Sequence, residues 1–258
     1  MQTLFFNELD STNIEATRRW RAADQSSPIP PLPFAVVAAR QVAGMGRAGR
    51  SWKSPVGGLW LSVAWPLRLS AEAYAPAPLA VGLAATEALQ DCCSVNCAIK
   101  WPNDLLVNDK KLAGVLCQCE LGAAYPVLIA GVGINGNFSA TILGGDLRQP
   151  ATSIYDEIGQ PVDLQALQIS LIKNIRQNLE YLEEGRFASL LLPRIRQRLA
   201  WRNQPVIFGH DSRGRFLEGQ LVDVTETGHA VLVTNAGRQT VFSGELRLRA
   251  ANVMDEGN

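Results

Sequence analysis

The sequence predicts a mixed α/β domain followed by a small all-β domain, and three observations support this prediction. Apolar runs of strand length alternate with amphipathic helical stretches as far as residue 200. From about residue 204 the chain changes to short strand candidates separated by glycine-containing turns. A length of 258 residues is enough for one substantial core and a small second unit. We therefore expect domains at residues 1–200 and 201–258.

The elements of the first domain follow from periodicity and from helix and turn signals. Apolar runs predict strands at residues 3–9, 34–39, 59–65 and 127–132. Helical spacing predicts helices at residues 13–21, 79–89, 163–182 and 187–200, the last interrupted at Pro193. Thr12 and Glu15 have the spacing of a capping box, and the prolines and serines of residues 25–33 predict a loop.

A β-hairpin is predicted between the second and third of these helices. Its first strand covers residues 98–101 and 105–107, with a break at Pro102. A tight turn at Asn108 and Asp109 leads into the returning strand at residues 111–119.

The C-terminal part is predicted to form a small β-barrel of about 50 residues. Its five strand candidates are residues 206–208, 216–224, 230–234, 239–243 and 246–249. Acidic residues slightly outnumber basic ones in this part, which argues against nucleic acid as its ligand. We expect it to pack on the main domain or to bind a protein partner.

Composition restricts the function classes. Lysine plus arginine and aspartate plus glutamate number 24 each, so no overall charge favours DNA or an acidic membrane surface. The N-terminal residues lack a basic region, and no apolar run reaches the roughly 18 residues that span a bilayer. The five cysteines form no C-x-x-C pair, which argues against structural zinc. We expect reduced thiols packed in the core of a cytoplasmic protein.

Residues 44–52 read G-M-G-R-A-G-R-S-W and carry the clearest chemical signal. Glycines expose backbone N–H groups to a ligand, and Arg47 and Arg50 can neutralise an anion. The glycines also satisfy G-x-G-x-x-G, but a dinucleotide-binding turn requires a helix directly after the loop, and Pro55 and an apolar strand follow instead. A Walker A loop lacks its G-K-[ST]. A solvated hairpin loop is the remaining alternative.

The second chemical segment is K-W-P-N-D-L-L-V-N-D-K-K-L-A-G-V-L, residues 100–116. The break at Pro102 can direct Asn103 and Asp104 out of the sheet, and Lys111 returns beside them on the partner strand. A lysine in an apolar strand is costly unless an anion accompanies it. The alternative is an edge-strand lysine that extends to water.

The order of motifs resembles one known family. The chain reads S-T-N, Q-x-A-G-x-G-R-x-G-R-x-W, K-W-P-N-D-L, K-L-A-G-V-L, G-x-G-I-N and A-T-S, followed by the small barrel. This order is similar to that of biotin protein ligases over nearly the whole chain. The resemblance implies a catalytic domain related to class II aminoacyl-tRNA synthetases, with a mixed sheet and flanking helices, and an SH3-like C-terminal domain. It implies formation of biotinyl-5′-AMP from biotin and ATP, then transfer of biotin to a lysine of a biotin carboxyl carrier protein, the acetyl-CoA carboxylase subunit.

The resemblance also assigns site residues. Lys111, Arg47 and Asp104 are the expected catalytic residues, and Asp104 is also the candidate Mg²⁺ ligand. The residues expected to bind biotin are Ser11, Thr12, Asn13, Gln41, Met45, Gly46, Arg47, Lys111 and Gly114. The residues expected to bind ATP or the adenylate are Gly44, Arg47, Arg50, Trp52, Lys100, Asn103, Asn135, Thr152 and Ser153.

The sequence departs from the family pattern in two ways. The loop often reads G-R-G-R-R-G-R in the family, whereas Met45 and Ala48 replace two arginines here, which predicts a weaker hold on the adenylate. The chain starts directly at the catalytic domain, so a monofunctional ligase without DNA binding is expected. The remaining alternatives are a lipoate or octanoate ligase and a non-catalytic biotin-binding module. The resemblance is also compatible with a homodimer.

Overall fold

The computed structural model describes residues 1–26, 29–122, 124–145, 147, 149–209 and 216–248. The strands are β1 (Gln2–Leu9), β2 (Phe34–Gln41), β3 (Leu59–Pro66), β4 (Ala98–Lys100), β5 (Asp104–Val107), β6 (Lys110–Glu120), β7 (Val127–Ile134), β8 (Pro205–Gly209), β9 (Phe216–Val224), β10 (Ala230–Thr234), β11 (Gly237–Val241) and β12 (Glu245–Leu248). The helices are α1 (Thr12–Ser26), α2 (Ala77–Cys93), α3 (Ile154–Ile158), α4 (Leu164–Glu183) and α5 (Leu192–Gln197).

The first sheet has seven strands in the order β1-β2-β3-β7-β6-β5-β4. The pair β1–β2 is parallel and all the other pairs are antiparallel, so the sheet is mixed. All eight residues of β3 are buried. A strand whose side chains are buried on both faces must lie inside a covered sheet, which explains its continuous apolar sequence.

Helices cover both faces of this sheet. Successive side chains of β2 point to opposite faces. Ala35 and Val37 belong to the core that contains α2 and α4, whereas Phe34 and Val36 pack with Trp20 of α1. The domain therefore has three layers, with α1 on one face and α2 and α4 on the other.

Helix α1 differs from the prediction in length and in its cap. It runs to Ser26, into the predicted loop, and ends just before Pro28, where a following proline disfavours helix. The capping-box prediction is wrong. The backbone N–H of Thr12 is bonded to Gln41 Oε1 at 2.7 Å, and the Glu15 carboxylate pairs with Arg18 and Arg19.

The other predicted elements are present, with shifted ends. Asn108 and Asp109 have positive φ values of 48° and 60°, as a two-residue hairpin turn requires. The helix predicted to begin at Asp163 is α4, and Asp163 is its N-cap residue. The last predicted helix divides into a π-type turn (Phe187–Leu191) and α5, which ends three residues short of the prediction. Pro193 lies in the first turn of α5, where its missing N–H costs nothing.

The second sheet is antiparallel, in the order β11-β10-β9-β8-β12. All five predicted strands are present in part. The predicted strand end at Arg249 and most of the turn at residues 209–214 lie outside the described residues. Within the described part β11 and β12 do not pair with each other, so the sheet is not closed into a barrel there.

The two sheets are joined by buried contacts next to the K-W-P-N-D segment. Trp101 donates from Nε1 to the Gly228 carbonyl at 2.9 Å and packs against Phe208. Arg196 of α5 binds both carboxylate oxygens of Asp223 at 2.7 and 3.0 Å. The second sheet therefore packs on the first domain, as predicted.

The cysteines are all free thiols, as expected, but they are not all in the core. Cys93 and Cys97 are buried, whereas Cys92 and Cys119 are exposed. Burial raises the pKa of Cys97 to about 12. The described helices include none long and apolar enough to cross a bilayer.

Candidate active site

A cavity of about 470 Å³ opens on the face of the first sheet that also carries α1. Gly131 and Gly133 of β7 form part of its floor, and they alternate with residues that belong to the opposite core. Gly114 of β6 is a further floor residue. Because glycine has no side chain, these strands leave free volume above the sheet where other residues would fill it.

One end of the cavity is a polar cluster at the start of α1. Gln41 Oε1 accepts from the Thr12 backbone N–H at 2.7 Å and from the Thr12 hydroxyl at 3.1 Å. Gln41 Nε2 donates to the Ser54 hydroxyl at 2.7 Å. These bonds fix the amide orientation of Gln41 before any ligand binds.

Asn13 is held equally firmly beside this cluster. The buried Ser62 hydroxyl lies 2.6 Å from Asn13 Oδ1 and 2.7 Å from the Thr12 hydroxyl. Asn13 Nδ2 donates to Gln118 Oε1 at 2.8 Å. Ser62 has no role in the sequence-based assignment, although a serine inside the apolar strand L-W-L-S-V-A-W is a visible signal.

The glycine-arginine loop forms one wall of the cavity. Gly44 must be glycine, because a Cβ there would lie 2.4 Å from the Trp52 carbonyl oxygen. Ala48 has a left-handed backbone (φ 55°), which an alanine adopts only at a cost in free energy. Arg47 Nη1 donates to Asn103 Oδ1 at 3.2 Å and to the Gly244 carbonyl at 3.3 Å. The loop is thereby attached to both domains.

Arg50 is also held from the second sheet. Its guanidinium lies 3.4 Å from the carboxylate of Glu245, and its Nε donates to the Arg47 carbonyl at 3.0 Å. Glu245 lines the same cavity. The second sheet therefore supplies an acidic side chain to the candidate site, which the local sequence S-G-E did not indicate.

Lys111 lies at the centre of the cavity wall. Its Nζ is 2.6 Å from Asp104 Oδ1 and 4.9 Å from the centre of the Trp52 ring. The antiparallel pairing of β5 with β6 places the two charged side chains together, as the hairpin predicts. Carboxylate and ring together stabilise the ammonium group while leaving it on the cavity surface.

The other end of the cavity is formed by Trp52, Asn135, Leu143, Leu147, Gln149 and Ala151. Asn135 is 1% exposed, and its Nδ2 donates to the Thr152 carbonyl at 2.8 Å. Asn135 Oδ1 is buried and has no hydrogen-bond partner among the residues that the structure describes. A buried acceptor of this kind is destabilising until a donor reaches it.

Most predicted site residues line this single cavity, and four do not. Gly44, Lys100, Thr152 and Ser153 lie outside its lining. The Ser153 hydroxyl caps α3 by accepting from the Asp156 N–H, and the Thr152 hydroxyl donates to Glu157. Both side chains therefore form hydrogen bonds with helix α3, which was not predicted.

Several lining residues escaped the sequence-based assignment. They are Ser51, Lys53, Val115, Leu116, Gly131, Val132, Gly133, Leu143, Leu147, Gln149, Ala151 and Glu245. The alternating glycines of G-V-G, at the end of an apolar strand, are the one available signal for Gly131 and Gly133. Gln149 has no local signal.

The chain is similar in sequence to a known protein family. A sequence profile of the biotin/lipoate A/B protein ligase family matches residues 9–135. The chain is 30% identical over 250 residues to the biotin acetyl-CoA-carboxylase ligase of Paracoccus denitrificans, which covers 92% of this chain and 96% of that protein. The chain belongs to the biotin/lipoate A/B protein ligase family.

Other members of the biotin/lipoate A/B protein ligase family extend the comparison. The bifunctional ligase/repressor BirA of Bacillus subtilis is 29% identical over 224 residues, which is 83% of this chain and 65% of BirA. This chain thus spans about two thirds of the length of that relative. The structure of the Aquifex aeolicus biotin protein ligase in complex with biotin and ATP matches with a TM-score of 0.77 and 28% identity. That match covers 97% of this chain and 99% of the other, so the mixed sheet and the second antiparallel sheet are common to both.

Proposed function

We propose that this protein activates biotin with ATP to form biotinyl-5′-AMP and then transfers biotin to a lysine of a biotin carboxyl carrier protein, a subunit of acetyl-CoA carboxylase. One observation carries the proposal. A single cavity joins the polar cluster around Gln41 to the cations Lys111 and Arg47 and to the unpartnered Asn135 oxygen. The Paracoccus relative bears the ligase name, and the Aquifex structure holds both substrates.

The polar cluster suits the ureido ring of biotin. That ring presents two N–H donors and one carbonyl acceptor, so its site needs groups of both kinds. Ser11, Thr12, Asn13 and Gln41 provide them, and their mutual hydrogen bonds reduce the ordering cost of binding. Met45, Gly46 and Gly114 line the same cavity.

The cations suit the first reaction step. A carboxylate oxygen of biotin attacks the α-phosphorus of ATP, a new P–O bond forms, and pyrophosphate leaves with the electrons of the broken P–O bond. Several anionic groups must approach each other in this step. Lys111 and Arg47 would neutralise them in a partly desolvated cavity, where electrostatic stabilisation is strongest.

The second step requires a neutral amine. A lysine with the ordinary pKa near 10.4 is only about one part in 2,500 unprotonated at neutral pH. The amine attacks the acyl carbon, AMP leaves with the electrons of the C–O bond, and the nitrogen loses a proton. Asp104 would orient the acceptor lysine or take its proton, in addition to holding Lys111.

The end of the cavity near Asn135 suits the nucleotide. Asn135 Oδ1 would accept from an exocyclic amino group, and Trp52, Asn103 and Arg50 would form the walls around ribose and phosphates. Thr152 and Ser153 would act from behind this wall, by fixing the backbone that Asn135 contacts. Gly44 would act by allowing the close turn of the loop.

A protein-held Mg²⁺ at Asp104 does not fit the residues present. The Asp104 carboxylate lies 2.6 Å from Lys111 Nζ and 3.7 Å from Lys100 Nζ, and two ammonium groups repel a divalent cation. No group of three acidic, histidine or cysteine side chains suited to a metal occurs in the described part of the chain. Mg²⁺ as a cofactor of the reaction stays a prediction.

The proposal also includes the domain organisation and cellular setting. We propose a catalytic domain at residues 1–200, related to class II aminoacyl-tRNA synthetases, and an SH3-like domain at residues 201–258. The five-stranded antiparallel order of the second sheet supports the latter. A carrier-protein partner and a homodimer belong to the same proposal through the family resemblance, and a cytoplasmic location belongs to it through the unpaired cysteines.

Pyrophosphate release tests the activity directly. The protein is incubated with ATP and biotin, lipoate or octanoate in turn, and acyl transfer to a biotin carboxyl carrier domain is followed by mass spectrometry. We expect biotin-dependent pyrophosphate and a biotinylated carrier. Pyrophosphate release with lipoate or octanoate but not with biotin would indicate a lipoate or octanoate ligase. Biotin binding without pyrophosphate release would indicate a non-catalytic biotin-binding module.

A further inference from the structure

Lys100 is the most deeply buried charged side chain near the candidate site. Its side chain is 4% exposed, and burial lowers its pKa from the usual range. Its Nζ lies 2.7 Å from Gln149 Oε1, 3.7 Å from Asp104 Oδ2 and 5.2 Å from the centre of the Trp201 ring. A buried ammonium group is costly unless its surroundings compensate it.

Asp104 connects this buried lysine to the cavity. One carboxylate oxygen faces Lys100 and also accepts from Gln149 Nε2 at 3.4 Å. The other oxygen faces Lys111 at 2.6 Å. Lys100 does not line the cavity, whereas Asp104, Gln149 and Lys111 do. Any effect of Lys100 on a ligand must therefore pass through Asp104 or Gln149.

The Asp104 carboxylate is held on one side by Lys100 and Gln149 and on the other by Lys111. Without Lys100 and Gln149, one Asp104 oxygen would lose its partners, and the carboxylate could rotate away from Lys111. Gln149 is suited to this position because its amide accepts from one group and donates to the other. Displacement of a reacting or charge-stabilising group by about 1 Å can lower a rate by up to about a hundredfold.

We infer that Lys100 and Gln149 are positioning residues that hold Asp104 and, through it, keep the Lys111 ammonium group directed into the cavity. The inference rests on the proposed function, because the rate in question is that of biotinyl-AMP formation. Lys100 lies outside the cavity lining, and Gln149, which lines the cavity, acts here through its hydrogen bond to Asp104. Their loss affects the catalytic rate and leaves substrate binding nearly unchanged.

The test is a set of double-mutant cycles on the intact chain. The single variants are Lys100→Met, Gln149→Ala and Asp104→Asn. The double variants combine Asp104→Asn with Lys100→Met or with Gln149→Ala. Biotin-dependent pyrophosphate release gives kcat and the KM values for ATP and biotin, and thermal unfolding reports whether each variant is folded. Lys110→Met, an exposed lysine next to Lys111, is the matched control and is expected to behave as wild type.

We expect Gln149→Ala and Lys100→Met each to lower kcat by about tenfold or more, with KM values within about twofold of wild type. In the Asp104→Asn background neither should lower kcat further, because the shared intermediary is already lost. Gln149→Ala changes no charge and keeps the test valid if Lys100→Met fails to fold.

Additive losses in the double variants, or a large rise in the KM for ATP, would mean direct contact with the nucleotide and would overturn the inference. Wild-type kinetics in Gln149→Ala would overturn the role of Gln149. A wild-type protein that releases no pyrophosphate with biotin and ATP would instead contradict the proposed function.

Discussion

Gly131 and Asn13 are packed so closely that a Cβ on Gly131 would lie 2.1 Å from Asn13 Oδ1. We predict that Gly131→Ala displaces Asn13 from its bonds with Ser62 and Gln118 and weakens biotin binding by about tenfold or more, at a cost in stability of about 1–3 kcal/mol. Calorimetric titration with biotin measures the affinity. Gly122→Ala, where a Cβ would meet no described residue within 4 Å, is the matched control. Equal biotin affinity in Gly131→Ala and wild type would contradict the role of this contact.

Asp104→Asn is predicted to impair both half-reactions. The substitution removes the negative charge 2.6 Å from Lys111, so the ammonium group loses its fixed position. We expect adenylate formation to fall by about tenfold to a hundredfold, and transfer from pre-formed biotinyl-AMP to fall as well. Rapid-quench measurements separate the two steps. Loss of transfer alone would favour a proton-accepting role, and wild-type rates in both would exclude any role.

Glu245→Gln is predicted to strengthen ATP binding. The Glu245 carboxylate lines the cavity that would receive the phosphates and lies 3.4 Å from the Arg50 guanidinium. Neutralising Glu245 removes its repulsion of the ATP phosphates. It also weakens the ion pair with Arg50, whose guanidinium can then bind the phosphates. We expect the KM for ATP to fall by about twofold to fivefold at low salt and less at high salt. Glu184→Gln, at an exposed site on the surface, is the control. A higher KM would mean that Glu245 positions Arg50 instead.

Ala48→Arg is predicted to slow the escape of the adenylate. Ala48 is exposed on the glycine-arginine loop, where an arginine would add positive charge next to Arg47, which lines the cavity. We expect biotinyl-AMP to dissociate several-fold more slowly at low ionic strength, with the difference reduced by salt. A chase with unlabelled biotin after adenylate formation measures the rate. An unchanged rate would mean that the glycines of the loop alone determine retention.

Stability is predicted to decrease at alkaline pH. Burial raises the pKa of Cys97 to about 12 from its usual 9.0, and burial raises the pKa of Tyr74 to about 12 from its usual 10.0. The folded state therefore retains protons that the unfolded state loses. The Cys97 contribution is complete below pH 9 and is lost between pH 9 and 12. The Tyr74 contribution is complete below pH 10 and is lost between pH 10 and 12, at about 1.4 kcal/mol per pH unit for each proton. Chemical unfolding at a series of pH values measures this decline.

The cysteine contribution can be separated by substitution. Cys97→Ala should show a shallower alkaline decline than wild type, because the buried thiol no longer titrates on unfolding. Cys92→Ala changes an exposed thiol and should leave the slope unchanged. Equal slopes in wild type and Cys97→Ala would contradict the assignment to Cys97.

The sequence predicted much of the fold because its signals are local. Residues that are neighbours in the chain determine strand β3, the start of α4 at Asp163 and the turn at Asn108. Helix α3 was missed because its five residues are too few for a periodic pattern. The same helix explains why the Thr152 and Ser153 side chains lie outside the cavity. This placement results from packing and could not be predicted from the A-T-S motif.

The sequence by itself identified a glycine-arginine loop, a lysine in an apolar strand and polar residues at the start of a helix as candidate site residues. Only the tertiary structure decided which charges meet. Lys100, Asp104 and Lys111 come together through the β4-β5-β6 pairing, whereas Gln149 and Glu245 arrive from segments 38 or more residues beyond Lys111. Strand order, register and domain packing fix these distances. The energy of a buried charge depends on those distances, so the local pattern could identify the charged residues but not their partners.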